Sequence, residues 1–113
     1  MSSDETLRTF QQLVMLSVLQ LDEDAYGAII QRELERRAGR SVTIATIYVT
    51  LSRLERRGFT ESWLGDPTPV RGGRAKRFYR VTEAGREALE EAHAELERMW
   101  TGLERGRPER AIR

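Results

Sequence analysis

Between Leu7 and Leu21, apolar side chains at Leu7, Phe10, Leu13, Val14, Leu16, Val18 and Leu21 cover more than half of a helical circumference. A helix apolar over so wide an arc is expected to be buried on two sides. The acidic run Asp22-Glu23-Asp24 breaks that pattern. Helical spacing resumes at Tyr26, Ile29, Ile30, Leu34 and Ala38. Gly39 is placed to stop this second helix, with Arg36 and Arg37 well sited for the negative end of its dipole. Thr43 is placed to cap a third helix through its side-chain oxygen. That helix should run to about Arg57 and end at Gly58, with a stripe of Ile47, Tyr48, Leu51 and Leu54 facing the core. Thr46, Thr50, Arg53 and Arg57 are assigned to its outer face. The connection from Ala38 to Thr43 is short, so the second and third helices must cross at an angle.

After Gly58 the period becomes two. Phe59, Glu61 and Trp63 fall on one side of an extended segment and Thr60 and Ser62 on the other. Trp63 is expected in the core. "GDPTPVRGG" then reads as a loop, and "KRFYRV" alternates again, so the pair reads as a hairpin with a long connection. Thr82 opens a last helix as its N-cap, with Glu83 in the first turn. The fold class expected is mainly α with a small β-hairpin (α+β). Its architecture is a winged helix-turn-helix (residues 1–82) followed by a C-terminal dimerisation helix (83–105), with 106–113 as a frayed tail.

The last helix carries leucines seven residues apart at Leu89, Leu96 and Leu103, with Ala92 and Met99 at the intervening heptad positions. This is an apolar seam of a and d type, with His93 and Trp100 beside it. A helix of about 20 residues spans about 30 Å, more than a core this small can cover. An uncovered seam marks a partner. A second copy of the chain is expected there, with Leu7 and Phe10 of the doubly apolar first helix as the other contributors. His93 is assigned to the same interface rather than to a ligand site.

Composition narrows the chemistry. The chain has 113 residues, no cysteine and one histidine, so disulfides and thiolate metal sites are excluded and a zinc site is not expected. No stretch is long and apolar enough to cross a membrane, and the N-terminus lacks the pattern of a secretion signal. A cytoplasmic location, no cofactor and no membrane partner are the expectations. There is no paired nucleophile and base. "RGGR" lacks the strand-to-helix setting of a phosphate loop, so an enzyme is not expected.

Net charge is only +1, but it is unevenly spread. Residues 32–57 sum to +4 and residues 71–80 to +5, while residues 1–24 sum to −4 and residues 83–104 to −5. Local fields matter more than the total. The basic middle coincides with the third helix and the hairpin. In a winged helix-turn-helix the third helix enters the DNA major groove. Threonine hydroxyls reach phosphates or base edges, and arginine can hold a guanine or a phosphate. The residues expected to touch double-stranded DNA are therefore Thr43, Thr46, Thr50 and Arg53 on the helix and Arg71, Arg74, Lys76 and Arg77 on the hairpin. Two further readings remain: a winged helix used for protein interaction, which the basic hairpin disfavours, and a regulator of the MarR type, which usually has more helix after the wing.

Tyr26-Gly27, Thr46-Ile47-Tyr48, Leu54-Glu55 before Gly58, Gly73-Arg74 with Phe78-Tyr79, and Thr82-Glu83-Ala84-Gly85 occur in this order and spacing. Together they resemble the PadR family of bacterial transcriptional regulators, over Tyr26 to Leu89. The sequence departs from the family pattern at Ala45, commonly Gly, and at Val49, commonly Pro. The resemblance implies a homodimeric repressor whose C-terminal helix packs on the partner's first helix. It also implies that Tyr48, which spacing alone assigns to the core, sits near the DNA backbone. Some relatives hold planar apolar ligands against a tryptophan between C-terminal helices. Trp100 is placed for such an effector, although packing within the interface is the preferred reading.

Overall fold

A computed structural model of the chain describes residues 6–66 and 75–103. The element order is α1 (Thr9–Leu21), a single 3-10 turn (Asp22–Asp24), α2 (Gly27–Ala38), α3 (Ile44–Arg56), β1 (Thr60–Leu64), β2 (Arg77–Val81) and α4 (Glu83–Trp100). It is mainly helical with one two-stranded antiparallel sheet, a winged helix-turn-helix followed by one C-terminal helix.

Local chemistry explains the boundaries. Gly39 ends α2 with φ of 65°, a conformation that costs glycine little. Thr43 accepts from the Thr46 amide at 3.1 Å and caps α3. The Gln31 side chain donates to the Val42 carbonyl at 2.7 Å, which fixes the turn between α2 and α3. Thr82 caps α4 by accepting from the Gly85 amide at 3.1 Å, and its hydroxyl donates to the Gly58 carbonyl at 2.6 Å. The start of α4 is thereby tied to the end of α3.

Two apolar clusters hold the elements together. Val14 and Val18 of α1, Ile30 and Leu34 of α2, Ile47 and Leu51 of α3 and Tyr79 of β2 form the first. Leu7, Met15, Leu54 and Leu89 form the second, which joins α1, α3 and α4. Helix α1 thus is buried on two sides, by Val14 and Val18 on one and Met15 on the other. Both of those partners lie in its own chain. Gly85 allows the close docking of α4, since a Cβ there would lie 2.2 Å from the Phe59 carbonyl oxygen.

Four expectations need correction. Thr50 faces the core, 9% exposed, and its hydroxyl donates to the Thr46 carbonyl at 2.9 Å. Tyr48, counted in the stripe, is 41% exposed. The reason for both is angular: at roughly 100° per residue, position 50 lies about 40° from 54 and about 60° from 47, on the core side, whereas 48 falls about 100° from 47, on a flank. Trp63 is also outside the core, at 42% exposed. Strand pairing puts Thr60, Ser62, Tyr79 and Val81 on one face of the hairpin, the one that covers the body. Trp63 and Phe78 share the other face, rings stacked at 6.1 Å. Leu7 and Leu89, expected at an interface, are buried in the second cluster of their own chain, and Phe10 is half-buried against the first.

Candidate nucleic-acid interface

The burial of Ile47, Thr50, Leu51 and Leu54 fixes which way α3 faces. Directly opposite, at spacings of four, three and four, lie Ala45, Val49, Ser52 and Arg56, all exposed. This row is the outermost surface of the helix. Sequence reasoning passed over Ser52 and Arg56 and treated Ala45 and Val49 only as departures from a pattern. The helical period counted from Leu51 and Leu54 was the signal that could have found them.

One flank of the row begins at the cap. The Thr43 hydroxyl donates to the Thr46 hydroxyl at 2.9 Å. That leaves the Thr46 hydroxyl proton to be given outward, toward any acceptor that approaches. Arg53 lies further along this flank and lines a cleft of about 470 Å³ with Arg8, Gln11, Arg56 and Arg57. Arg57 also sits over the Phe59 ring, 4.8 Å from its centroid.

The other flank faces the hairpin. Tyr48, Ser52, Glu55 and Arg56 of α3 line a second cleft, of about 500 Å³, with Ser62, Arg77 and Tyr79. Arg77 donates to the Ser62 hydroxyl at 3.0 Å, and that hydroxyl bonds the Glu55 carboxylate at 3.0 Å. Glu55 thereby holds the root of the hairpin against α3. The Tyr48 ring lies 6.3 Å from that of Tyr79. Burial pushes the Tyr79 hydroxyl pKa up, with Tyr48 as a smaller cause, so Tyr79 stays neutral. The Tyr48 hydroxyl reaches the first residue of α2: a Cβ on Gly27 would come within 2.5 Å of it. Tyr48 therefore stands beside the positive end of that helix, a favourable setting for an anion.

The structure thus gathers Thr43, Thr46, Tyr48, Arg53 and Arg77 around the outer row of α3. Thr50 is withdrawn from it. Lys76 stands on the other face of the hairpin, its ammonium 5.2 Å from the Tyr26 ring centroid. Arg71 and Arg74 lie outside the described residues. Among the described residues, no group of three or more His, Asp or Glu side chains is placed to hold a metal. No described helix is long and apolar enough to cross a membrane.

At the far end of the molecule α4 outruns the body. Beyond Leu89 the long apolar side chains of α4 are uncovered: Leu96 is 54% exposed, Met99 73% and Trp100 63%. The helix ends at Trp100 rather than at 105, because Thr101 is extended and Gly102 has φ of 93°, so Leu103, 56% exposed, lies past it and outside the helical heptad. Ala92 is half-buried. A mostly apolar groove of about 240 Å³ adjoins this seam between α1 and α4, lined by Gln12, Leu16, Leu19, Arg86, Leu89, Glu90 and His93.

Residues 15–91 match the model of the PadR-like family of transcriptional regulators. The chain is 41% identical over 96 residues to the transcriptional regulator Rv3488 of Mycobacterium tuberculosis, covering 82% of this chain and 85% of that one. Among solved structures, a PadR family regulator from Eggerthella lenta is similar at 29% identity and a TM-score of 0.64, over 81% of this chain and 78% of that one. Bacillus subtilis PadR, solved in complex with operator DNA, shares the fold at 19% identity and a TM-score of 0.60, over 75% of this chain and 46% of that one.

Proposed function

Because the chain belongs to the PadR-like family of transcriptional regulators, we propose that it acts as a homodimeric repressor on double-stranded DNA, with α3 in the major groove. The observation that carries this is the exposed row of Ala45, Val49, Ser52 and Arg56, flanked by the Thr46 hydroxyl and Tyr48. Such a row combines apolar groups with hydrogen-bond donors. The methyl groups of Ala45 and Val49 suit the thymine methyl, Ser52 suits either an acceptor or a donor on a base edge, and Arg56 suits guanine. Arg53, further round the helix, is assigned to the backbone or to the groove edge. Tyr48 and Arg77 are assigned to phosphates, where they fix register rather than read sequence. Arg71, Arg74 and Lys76 are assigned by their charge to affinity for any duplex.

The dimer is assigned to the uncovered part of α4, from Ala92 through Leu96 and Met99 to Trp100, and to Leu103 just past its end, with the adjoining α1 groove receiving the partner. Trp100 is assigned to that seam, where a small apolar effector would have to compete with packing. A regulator of this kind works where the chromosome lies, so the cytoplasm is its proposed location.

The test is a titration of the chain against duplexes from the region upstream of its own coding sequence and against random duplexes of equal length, at a fixed salt concentration. One upstream duplex should bind at least about 10³-fold more tightly than random DNA. Equal affinity for every duplex would remove the sequence-reading role of α3.

A further inference from the structure

Glu55 poses a question for a DNA-facing surface. Tyr48, Ser52 and Glu55 follow at spacings of four and three along the hairpin flank of α3, and all three are exposed. A carboxylate there should repel a phosphate. Its hydrogen bonds give it another task. The Ser62 hydroxyl lies 3.0 Å from one Glu55 carboxylate oxygen and 3.3 Å from the other. Arg77 Nη1 lies 3.0 Å from the same hydroxyl. A carboxylate only accepts and a guanidinium only donates, whereas a hydroxyl does both. The order is therefore fixed: Arg77 donates to Ser62, and Ser62 donates to Glu55. Ser62 pairs with Tyr79 and Leu64 with Arg77, so Ser62 and Arg77 share the face of the hairpin that covers the body. The chain of bonds crosses the same cleft that Tyr48 lines.

We propose that Glu55 is a positioning residue for DNA binding: through Ser62 it holds the Arg77 guanidinium ready for a backbone phosphate. The proposal rests on the DNA-binding reading above, in which Arg77 is assigned to a phosphate, and deepens it. A guanidinium has five N–H donors, and the bond to Ser62 takes one. A phosphate can take two others side by side. An arginine loses rotamer freedom when it grips a ligand, and one that is already held loses less. The carboxylate behind the hydroxyl also polarises the chain of bonds and strengthens each of them. The held arginine thus adds more to the grip on a duplex than the Glu55 charge takes away by repulsion.

Glu55→Ala removes a negative charge from the DNA-facing surface, yet it should weaken binding to operator and random duplex alike, by about 3- to 10-fold at fixed salt. Ser62→Ala should do the same. The Glu55→Ala/Ser62→Ala pair should bind no more weakly than either alone, because the groups act as one chain. Glu55→Gln should bind at least as well as the parent, since its amide oxygen still accepts from Ser62. Arg77→Ala should lower the slope of log K against log salt on random duplex by about 0.9 for each protomer bound. In that background Glu55→Ala should no longer weaken binding. Tighter binding by Glu55→Ala alone overturns the inference, because Glu55 then only repels. A loss that persists in the Arg77→Ala background overturns it too, and makes Glu55 a support of the fold. An Arg77→Ala slope equal to the parent's overturns it by removing the phosphate that Arg77 is held for. A parent that binds no duplex overturns the DNA reading and this inference with it.

Discussion

Helices α3 and α4 each carry an apolar stripe at helical spacing, and their fates differ. The stripe of α3 is consumed within the chain: Ile47, Leu51 and Leu54 are fully buried against α1, α2 and the hairpin. The stripe of α4 is consumed only as far as Leu89. Past that point the body ends and Leu96, Met99 and Trp100 face outward. Periodicity therefore reveals that a helix has a partner but not whose chain the partner belongs to. Counting the body that is available to cover it does. An 18-residue α4 is about 27 Å long, and only its first turns meet the second cluster.

The comparison would break most visibly if Leu54 and Leu96 behaved alike. Leu54 is fully buried where α1, α3 and α4 meet. Leu54→Ala should cost about 2–5 kcal/mol of folding stability in urea or thermal melts, as truncations in closed cores do. Leu96→Ala should change the stability of the protomer by about 0.5 kcal/mol or less, as expected at an exposed site. Similar costs in the monomeric state would mean that α4 is covered by its own chain.

Leu96→Glu sharpens the same contrast from the other side. In a symmetric seam it places a charge near its own symmetry mate in an apolar setting. Self-association should weaken by about 2 kcal/mol or more, roughly 30-fold. Helical circular dichroism should remain, and tight operator binding should go with the dimer. A variant that sediments like the parent would move the interface away from Leu96.

Much of this was legible in the sequence, because caps and periods are local signals. Thr43, Gly39, Gly58 and Thr82 mark boundaries through their own backbone preferences and hydrogen bonds. The element order and the family likeness followed from such signals. Facing was harder. Tyr48 and Thr50 exchanged places, because polarity was allowed to outweigh angle: a threonine can be buried when its hydroxyl bonds the carbonyl four residues back. Trp63 was misplaced because nothing local tells which side of a two-stranded hairpin meets the body.

A smaller effect probes how α2 serves α3. Gly27→Ala would bring a Cβ within 2.5 Å of the Tyr48 hydroxyl, and the tyrosine tip must swing aside. Folding should be little altered, because Tyr48 as a whole is 41% exposed and lies outside both apolar clusters. Affinity for operator and random duplex alike should fall by about 1 kcal/mol, roughly fivefold, the value of one hydrogen bond. A loss confined to the operator would make Tyr48 a reader of sequence rather than a phosphate contact.

The smallest effect concerns charge. The buried Glu33 carboxylate of α2 is held by Arg36 at 2.9 Å and by Arg37 on the same helix. The carboxylates of α4 at Glu87, Glu91 and Glu95 have no cationic partner among the described residues. The Arg36 hydrogen bond, with help from Arg37, holds the Glu33 pKa below the ordinary carboxylate value. Its stabilising contribution is therefore present above that ordinary value and is lost as pH falls through the lowered one. The melting-temperature gap between the parent and Glu33→Gln should narrow on going from neutral pH into acid. A gap independent of pH would mean that Glu33 acts through packing alone.

The central claim is that α3 reads DNA in pairs because α4 is incomplete in one chain. Sedimentation of the parent chain on a single operator duplex tests it most directly, with Leu96→Glu run alongside. The account predicts saturation at two chains per duplex for the parent, with cooperative assembly, and only weak binding by the variant. A parent complex that saturates at one chain per duplex, or a monomeric variant that binds the operator as tightly as the parent, would contradict it.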